Sequence, residues 1–342
     1  MNFLSDTAAP AHPSVLEALM EANTGSASSY GSDPWTLAAR NALCELFETD
    51  LEVWFVSSGT AANALALSVM CKPDEAILCH REAHIHCDER GAPEFFTAGA
   101  KLRLLDGTNG QITPDKLLNQ LDRENPSHVH ETPSTVLSLT NLTECGTSYQ
   151  AQQIADLGRV ASDRRLRVHL DGARLVNALA HTGDSPADAS WRAGVDVLTF
   201  GMTKTGAMGC EAIILFGDMK DRFSSLLVNA KRGGHMPPKQ RYLAAQMSAM
   251  LDGGLWRRLA QIANEHAAQL AQILINKGEG CLRHPVEGNE IFIELPDKTA
   301  NILHNAGVGF CSWPFGGYRF VCSWNTTQTD LDAISKLFET AP

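Results

Sequence analysis

The chain has 342 residues, 44% of them apolar, and a formal net charge of -11 at neutral pH. That length exceeds one simple core and suits two domains. The acidic balance argues against a nucleic-acid partner, and no run approaches the ~18 apolar residues of a membrane span. Nine scattered cysteines with no CxxC pair suggest neither a disulfide framework nor a zinc site, and a reducing cytoplasm is the simplest setting. MNFLSDTAAP lacks a basic n-region and an apolar h-region, so no signal peptide is expected.

Residues 1–13 read as an extended, Pro-punctuated arm. Ser14, with Glu17 three residues on, predicts a capped helix over 14–23. A polar loop carrying Tyr30 follows, then a helix over 35–47. LEVWFV (51–56) is a strand that runs into Ser57-Ser58-Gly59-Thr60 and a small-residue helix. Strand, Ser/Gly/Thr turn and helix form the layout of an anion site, although an ordinary helix cap has the same look.

A short strand over 76–79 precedes His80, His84 and His86, with Glu82, Asp88 and Glu89 among them. A metal site there would want helical i,i+4 spacing, but no HEXXH occurs. An aromatic role for His84 above a planar cofactor is the better reading, and no metal is assigned. Strands over 101–105 and 135–140 flank a helix over 114–124 that starts with Pro at its first position. Apolar residues at helical spacing mark a helix over 150–164.

LRVHLDGAR (166–174) ends an apolar strand on Asp171, with Arg174 three residues on. A buried aspartate is expensive without a partner. It is rational as the partner of a protonated ring nitrogen, or as half of a structural pair with Arg174. VDVLTFGMTKTGAMGC (195–210) then leads a buried strand into Lys204 among glycines. Ligands of parallel sheets sit beyond the carboxyl ends of strands, so Lys204 is a candidate Schiff-base nucleophile, although this stretch by itself equally suits a solvated loop lysine. After a strand over 212–216, a basic glycine cluster holds Lys231 and Arg232. Helices over 238–252 and 255–276 follow, then short strands and helices to the end. Arg319 lies in a strand pattern between aromatics, facing solvent or holding a carboxylate. An anion cradle, a strand-end aspartate and a strand-end lysine, in that order, are what pyridoxal phosphate needs.

Phe3-Leu-Ser-Asp6, Tyr30-Gly31, Ser58-Gly-Thr-Ala-Ala-Asn63, Glu82-Ala-His84, His169-Leu-Asp-Gly-Ala-Arg174 and Phe200-Gly-Met-Thr-Lys204 occur in sequence. Tyr318-Arg319-Phe-Val and Ser323-Trp-Asn-Thr-Thr327 follow them. In these stretches, across essentially its whole length, the chain resembles the L-threonine aldolases. These are fold-type-I pyridoxal 5'-phosphate enzymes of the β-eliminating-lyase group, and the likeness is to their low-specificity and phenylserine-type branch. The resemblance implies an α/β fold of the aspartate aminotransferase type. Its expected parts are an arm over 1–13, a large cofactor-binding domain with a mainly parallel sheet over 14–250, and a small α+β domain over 251–342.

It also implies retro-aldol cleavage of L-threonine, L-allo-threonine or another β-hydroxy-α-amino acid such as phenylserine, giving glycine and an aldehyde. The alternatives are β-elimination, racemisation or amino transfer on the same scaffold, or a binding protein that has lost the chemistry. By position, Lys204 carries the cofactor, Asp171 pairs with its ring nitrogen, and Ser58, Gly59 and Thr60 hold its phosphate. His84 stacks on the ring. Arg174 meets the cofactor's 3-oxygen or the substrate carboxylate, which Ser5 and Arg319 also bind. Tyr30 and Lys231 or Arg232 serve a neighbouring subunit's site in a homodimer or homotetramer. Many relatives carry a histidine after the fifth strand, near the substrate hydroxyl. Here that segment reads Asn141-Leu-Thr-Glu-Cys-Gly146, with Thr143 or Glu144 in the region. The acceptor of the hydroxyl proton is therefore open, His84 or a water being able to serve.

Overall fold

The computed structural model describes residues 1–340. Seven strands form the main sheet: β1 (Glu52–Val56), β2 (Ala76–His80), β3 (Lys101–Leu105), β4 (Ser134–Thr140), β5 (Arg167–Gly172), β6 (Val197–Gly201) and β7 (Glu211–Leu215). Their order across the sheet is β1-β7-β6-β5-β4-β2-β3. All neighbours are parallel except β7, which runs antiparallel to both β1 and β6. Helices cover both faces, so β2, β6 and β7 are buried throughout and read as continuous apolar runs.

Register decides where the chemistry collects. Thr140 on β4 lies opposite Asp171 on β5, and Asp171 lies opposite Thr199 on β6. Because β7 is reversed, its first residue, Glu211, lies beside Gly201 at the end of β6 and Val56 at the end of β1. A Cβ on Gly201 would fall 2.5 Å from Glu211 Oε2, so only glycine leaves room for that carboxyl. Four strands thus deliver polar groups to one edge of the sheet. The approach is anchored by Phe200, whose ring meets Phe47 edge-on at 5.3 Å. Such a pair contributes roughly 0.5–1.5 kcal/mol beyond its buried area.

A second sheet, ordered β10-β11-β9-β8, is antiparallel. It comprises β8 (Cys281–Leu282), β9 (Glu290–Glu294), β10 (Cys311–Ser312) and β11 (Tyr318–Val321). The helix Leu255–Asn276 serves both cores. Leu255, Trp256, Leu259 and Ala260 pack into the large core, while Ala267, Leu270, Ala271 and Leu274 pack against the small sheet. The amino-terminal arm belongs to the small core. Phe3 is buried there, and its carbonyl accepts from Val321 N–H at 2.9 Å.

Three local expectations differ from the structure. His12 Nδ1, not Ser14, caps the first helix by accepting from Ser14 N–H at 3.2 Å. Pro13 suits the first helical position, having no N–H to lose, so the helix begins one residue earlier. The helix at Pro114 ends at Leu121 rather than Glu124. An additional helix, Phe223–Arg232, packs Leu226 and Ala230 against the apolar face of the sheet around β7. Among the described residues no helix is long and apolar enough to cross a membrane, and all nine cysteines are free thiols.

Candidate active site

The polar sheet edge opens into a cavity of about 230 Å³. Ser58, Gly59, Thr60, His84, Asp171, Arg174 and Lys204 all line it. A larger groove, of about 1160 Å³, lies between the helices Pro13–Ala22, Pro34–Phe47, Arg241–Leu251 and Leu255–Asn276. Its lining mixes alanines, leucines and scattered acids with Arg258, and holds no lysine.

At one end of the cavity β1 turns into the helix Gly59–Ser68. Ser58 caps it, its Oγ accepting from Ala61 N–H at 3.3 Å. The N–H groups of Gly59 and Thr60 have no preceding carbonyl in the helix and stand at its positive end. A Cβ on Gly59 would meet nothing within 4 Å, so the backbone lies open to the cavity.

Asp171 forms the floor and is 3% exposed. Its Oδ2 accepts from Asn63 Nδ2 at 2.7 Å and its Oδ1 from Ala173 N–H at 3.0 Å. A carboxylate offers about four lone-pair sites, so two further hydrogens can be held. Asn63 also donates to Glu89 Oε1 at 2.9 Å, and Glu89 in turn holds His84 Nδ1 at 2.8 Å. Burial would lower the pKa of His84, but the bond to Glu89 and the charge of Asp171 outweigh it and raise it. The imidazole is thereby fixed with Nδ1 turned away from the cavity centre.

Lys204 sits in the 3-10 turn Thr203–Thr205, just beyond β6. Asp6, His84 and Glu211 all interact with its ammonium electrostatically. Burial pushes the Glu211 carboxyl up to about 7, against the pull of Thr203 and Lys204. Glu211 Oε2 is buried with no partner.

Arg174 closes the side toward the small sheet. Its Nε and one terminal nitrogen donate to the two oxygens of Asp6, at 2.7 and 3.1 Å. Its other terminal nitrogen lies 3.2 Å from Glu290 Oε2. Burial would raise the pKa of Asp6, yet Arg174 and its hydrogen bonds hold the carboxyl below the usual range.

Five residues expected at the site are not brought to this cavity by the chain itself. Ser5 instead lines a separate hollow with Ser323 and Asn325, and its Oγ caps a short turn by accepting from Thr7 N–H at 3.2 Å. Arg319 lies over Trp313 at 4.8 Å, donates to Leu4 carbonyl and stands 3.8 Å from Glu290. It reaches the site only through Glu290, the carboxylate it shares with Arg174. Tyr30 is about half exposed, with Lys231 Nζ 5.0 Å from its ring centre, and Arg232 is the exposed end of the same helix as Lys231. Asp6, Asn63, Glu89, Glu211 and Glu290 also surround the site: Asp6 and Asn63 stand in the resembling stretches and Glu89 in the histidine cluster without a role, and nothing in the sequence marks Glu211 or Glu290. His80 does not share a helix face with His84. It ends β2, and its Nε2 faces Gly107 carbonyl at 3.2 Å. Among the described residues no three His, Cys, Asp or Glu side chains gather as a metal would require.

A helix amino terminus open to an anion, a buried carboxylate with spare acceptor sites and a strand-end lysine share one small cavity. These groups fit pyridoxal 5'-phosphate, and with the mostly parallel sheet they define a fold-type-I pyridoxal phosphate enzyme. The model of the beta-eliminating lyase family matches residues 2–297, and the chain belongs to that family. The low specificity L-threonine aldolase of Pseudomonas aeruginosa is 38% identical over 338 residues, covering 98% of this chain and 95% of that protein. Its counterpart from a Pseudomonas species is 37% identical over 337 residues, covering 97% and 95%. The solved threonine aldolase of Leishmania major matches with a TM-score of 0.91 at 26% identity, covering 99% of this chain and 98% of that one. An aspartate aminotransferase from Thermus thermophilus, at 15% identity and a TM-score of 0.69, covers 96% of this chain and 88% of its own, and shares the fold.

Proposed function

We propose that this enzyme is a pyridoxal phosphate-dependent aldolase that cleaves L-threonine and related β-hydroxy-α-amino acids to glycine and an aldehyde. The observation that carries this reading is the convergence of Lys204, Asp171, His84 and Ser58–Thr60 on one cavity. Bound there, the cofactor supplies a covalent point of attachment for the substrate amine and a sink for the electron pair of a bond broken at Cα.

The chain's own residues do the rest. The N–H groups of Gly59 and Thr60 bind phosphate at the helix terminus. Asp171 keeps a proton on the ring nitrogen, and Asn63 holds Asp171 in place for it. His84, its Nδ1 held by Glu89, would stack on the cofactor's ring. Arg174, gripped by Asp6 and Glu290, retains free N–H donors on its terminal nitrogens for the substrate carboxylate. Lys204 would hold the cofactor covalently and, as a free amine, would carry the proton returned to the substrate Cα.

Phenylserine and L-allo-threonine belong to the proposed substrates. The exposed cluster of Tyr30, Lys231 and Arg232 supports a homodimer or homotetramer in which these groups complete a neighbouring site. Free thiols throughout support a cytoplasmic setting. The test is the product: reconstituted protein incubated with L-threonine yields acetaldehyde and glycine in equal amounts. A keto acid with ammonia, or no turnover of any β-hydroxy amino acid, overturns the reading.

A further inference from the structure

One cavity-lining carboxyl has no part in holding the cofactor. Glu144 follows β4 in the loop after Thr140 and is half-buried, lining the cavity. Its Oε1 accepts from His84 N–H at 2.6 Å and from Thr140 Oγ1 at 3.0 Å. Two bonds to one oxygen lock the carboxyl plane. Its Oε2 is buried and has no hydrogen-bond partner. A buried oxygen left without a partner costs about 1–3 kcal/mol, more for a charged group, so its position calls for a ligand.

Both oxygens of Asp171 already accept, and His84 Nδ1 is tied to Glu89. Glu211 Oε2 also lacks a partner, but that carboxyl lies beside Lys204 and Thr203 at the start of β7, whereas Glu144 is held by His84 N–H and Thr140. We infer that Glu144 is the catalytic base that takes the β-hydroxyl proton of the substrate, an inference that rests on the aldolase reading above. Oε2 accepts the proton as the O–H electron pair becomes the second carbon–oxygen bond of the aldehyde. The Cα–Cβ bond breaks and its electron pair stays at Cα, where a bound cofactor would supply the sink for it. Lys204 then adds a proton at Cα, and Glu144 gives up its own to solvent once the aldehyde has left. One proton is taken and one returned, with no oxidant or reductant.

The surroundings suit this role. Burial, helped by the charge of Asp171, pushes Glu144 up to about 7 against its bonds from His84 N–H and Thr140. Across the cavity Arg174 also interacts with it. The neighbouring thiols of Cys79, Cys87 and Cys145 and the phenol of Tyr149 are all raised by burial and stay neutral near pH 7. A carboxyl near 7 can both take and release a proton at neutral pH.

Glu144→Gln keeps an oxygen for His84 N–H and removes the base. In the cofactor-loaded variant we expect kcat for threonine cleavage to fall by about 10²–10⁴-fold with little change in KM. Exchange of the glycine α-proton with deuterated water needs no β-hydroxyl base and stays within about twofold of wild type. The wild-type kcat falls as pH drops through 7, and that limb is absent in the variant. In cofactor-free protein, carboxyl carbon NMR shows Glu144 and Glu211 titrating near 7, and the substitution removes one of them. Equal loss of cleavage and exchange would mean that Glu144 only positions His84, and unchanged cleavage would mean that it does nothing. Either result overturns the assignment, as does an unaltered NMR titration. A wild-type protein that exchanges glycine but cleaves no β-hydroxy amino acid overturns the aldolase reading with it, whereas an active wild type with an equally active variant removes Glu144 alone.

Discussion

The floor of the cavity and its wall toward the small sheet are built in opposite ways. The floor is local: Ser58–Thr60, Asp171 and Lys204 each sit within a few residues of the end of their own strand. The wall is a chain of charges, Asp6–Arg174–Glu290–Arg319, its carboxylates buried and its arginines half-buried, drawn from the arm, the turn after β5, β9 and β11. The floor depends on secondary structure forming. The wall depends on the arm and the small sheet docking together against the large one. It can therefore couple that docking to the shape of the substrate site.

Breaking the wall should have the largest effect on stability. Arg174→Ala takes the counter-charge from buried Asp6 and leaves buried Glu290 only Arg319 at 3.8 Å, a loss of about 3–5 kcal/mol for a broken buried pair. Urea unfolding would read it as a lower midpoint with an unchanged slope. A smaller loss, matching that of an exposed pair, would mean that the wall is less buried than it looks.

Asp6 in the wall and Glu211, beside Lys204 at the start of β7, have opposite pH responses. Asp6 is held below its usual range, so its contribution is present above the unfolded value near 3.8 and is lost as pH falls through the lower folded value. Glu211 is raised to about 7, so the folded state binds its proton more tightly than the unfolded state. Its contribution is full below the unfolded value near 4.5 and fades as pH rises through 7. Glu211→Gln should therefore gain stability relative to the wild type at pH 8 and match it near pH 5, in cofactor-free protein. An equal difference at both pH values would contradict the raised carboxyl. The smallest effect belongs to the floor. Ser58→Ala removes one helix cap, costs about 1 kcal/mol by thermal unfolding, and weakens cofactor binding.

The same contrast explains what could be read without coordinates. Asp171 and Lys204 were legible because an apolar β run points to its own end, and the Ser58–Thr60 turn because helix and strand patterns meet there. The sheet strands and the two long late helices followed from the same periodicities. Glu211 was not legible, because its place depends on β7 running backwards beside β1 and β6. Asp6 and Glu290 lie 284 positions apart in numbering and meet only across Arg174. The helix Phe223–Arg232 did carry a signal in Phe223, Leu226, Leu227 and Ala230, at helical spacing toward one core. Ser5 and Arg319 were placed by resemblance, and in the single chain each turns to a nearer partner.

The central claim is that Lys204 is the point of covalent attachment at the end of β6. The most direct measurement reduces the protein with borohydride in the presence of pyridoxal phosphate and maps the labelled lysine by peptide mass spectrometry. One dominant label is expected, on Lys204, and it disappears in Lys204→Ala together with the absorbance of the bound cofactor. A dominant label on another lysine, or a label and spectrum that survive the substitution, would contradict it.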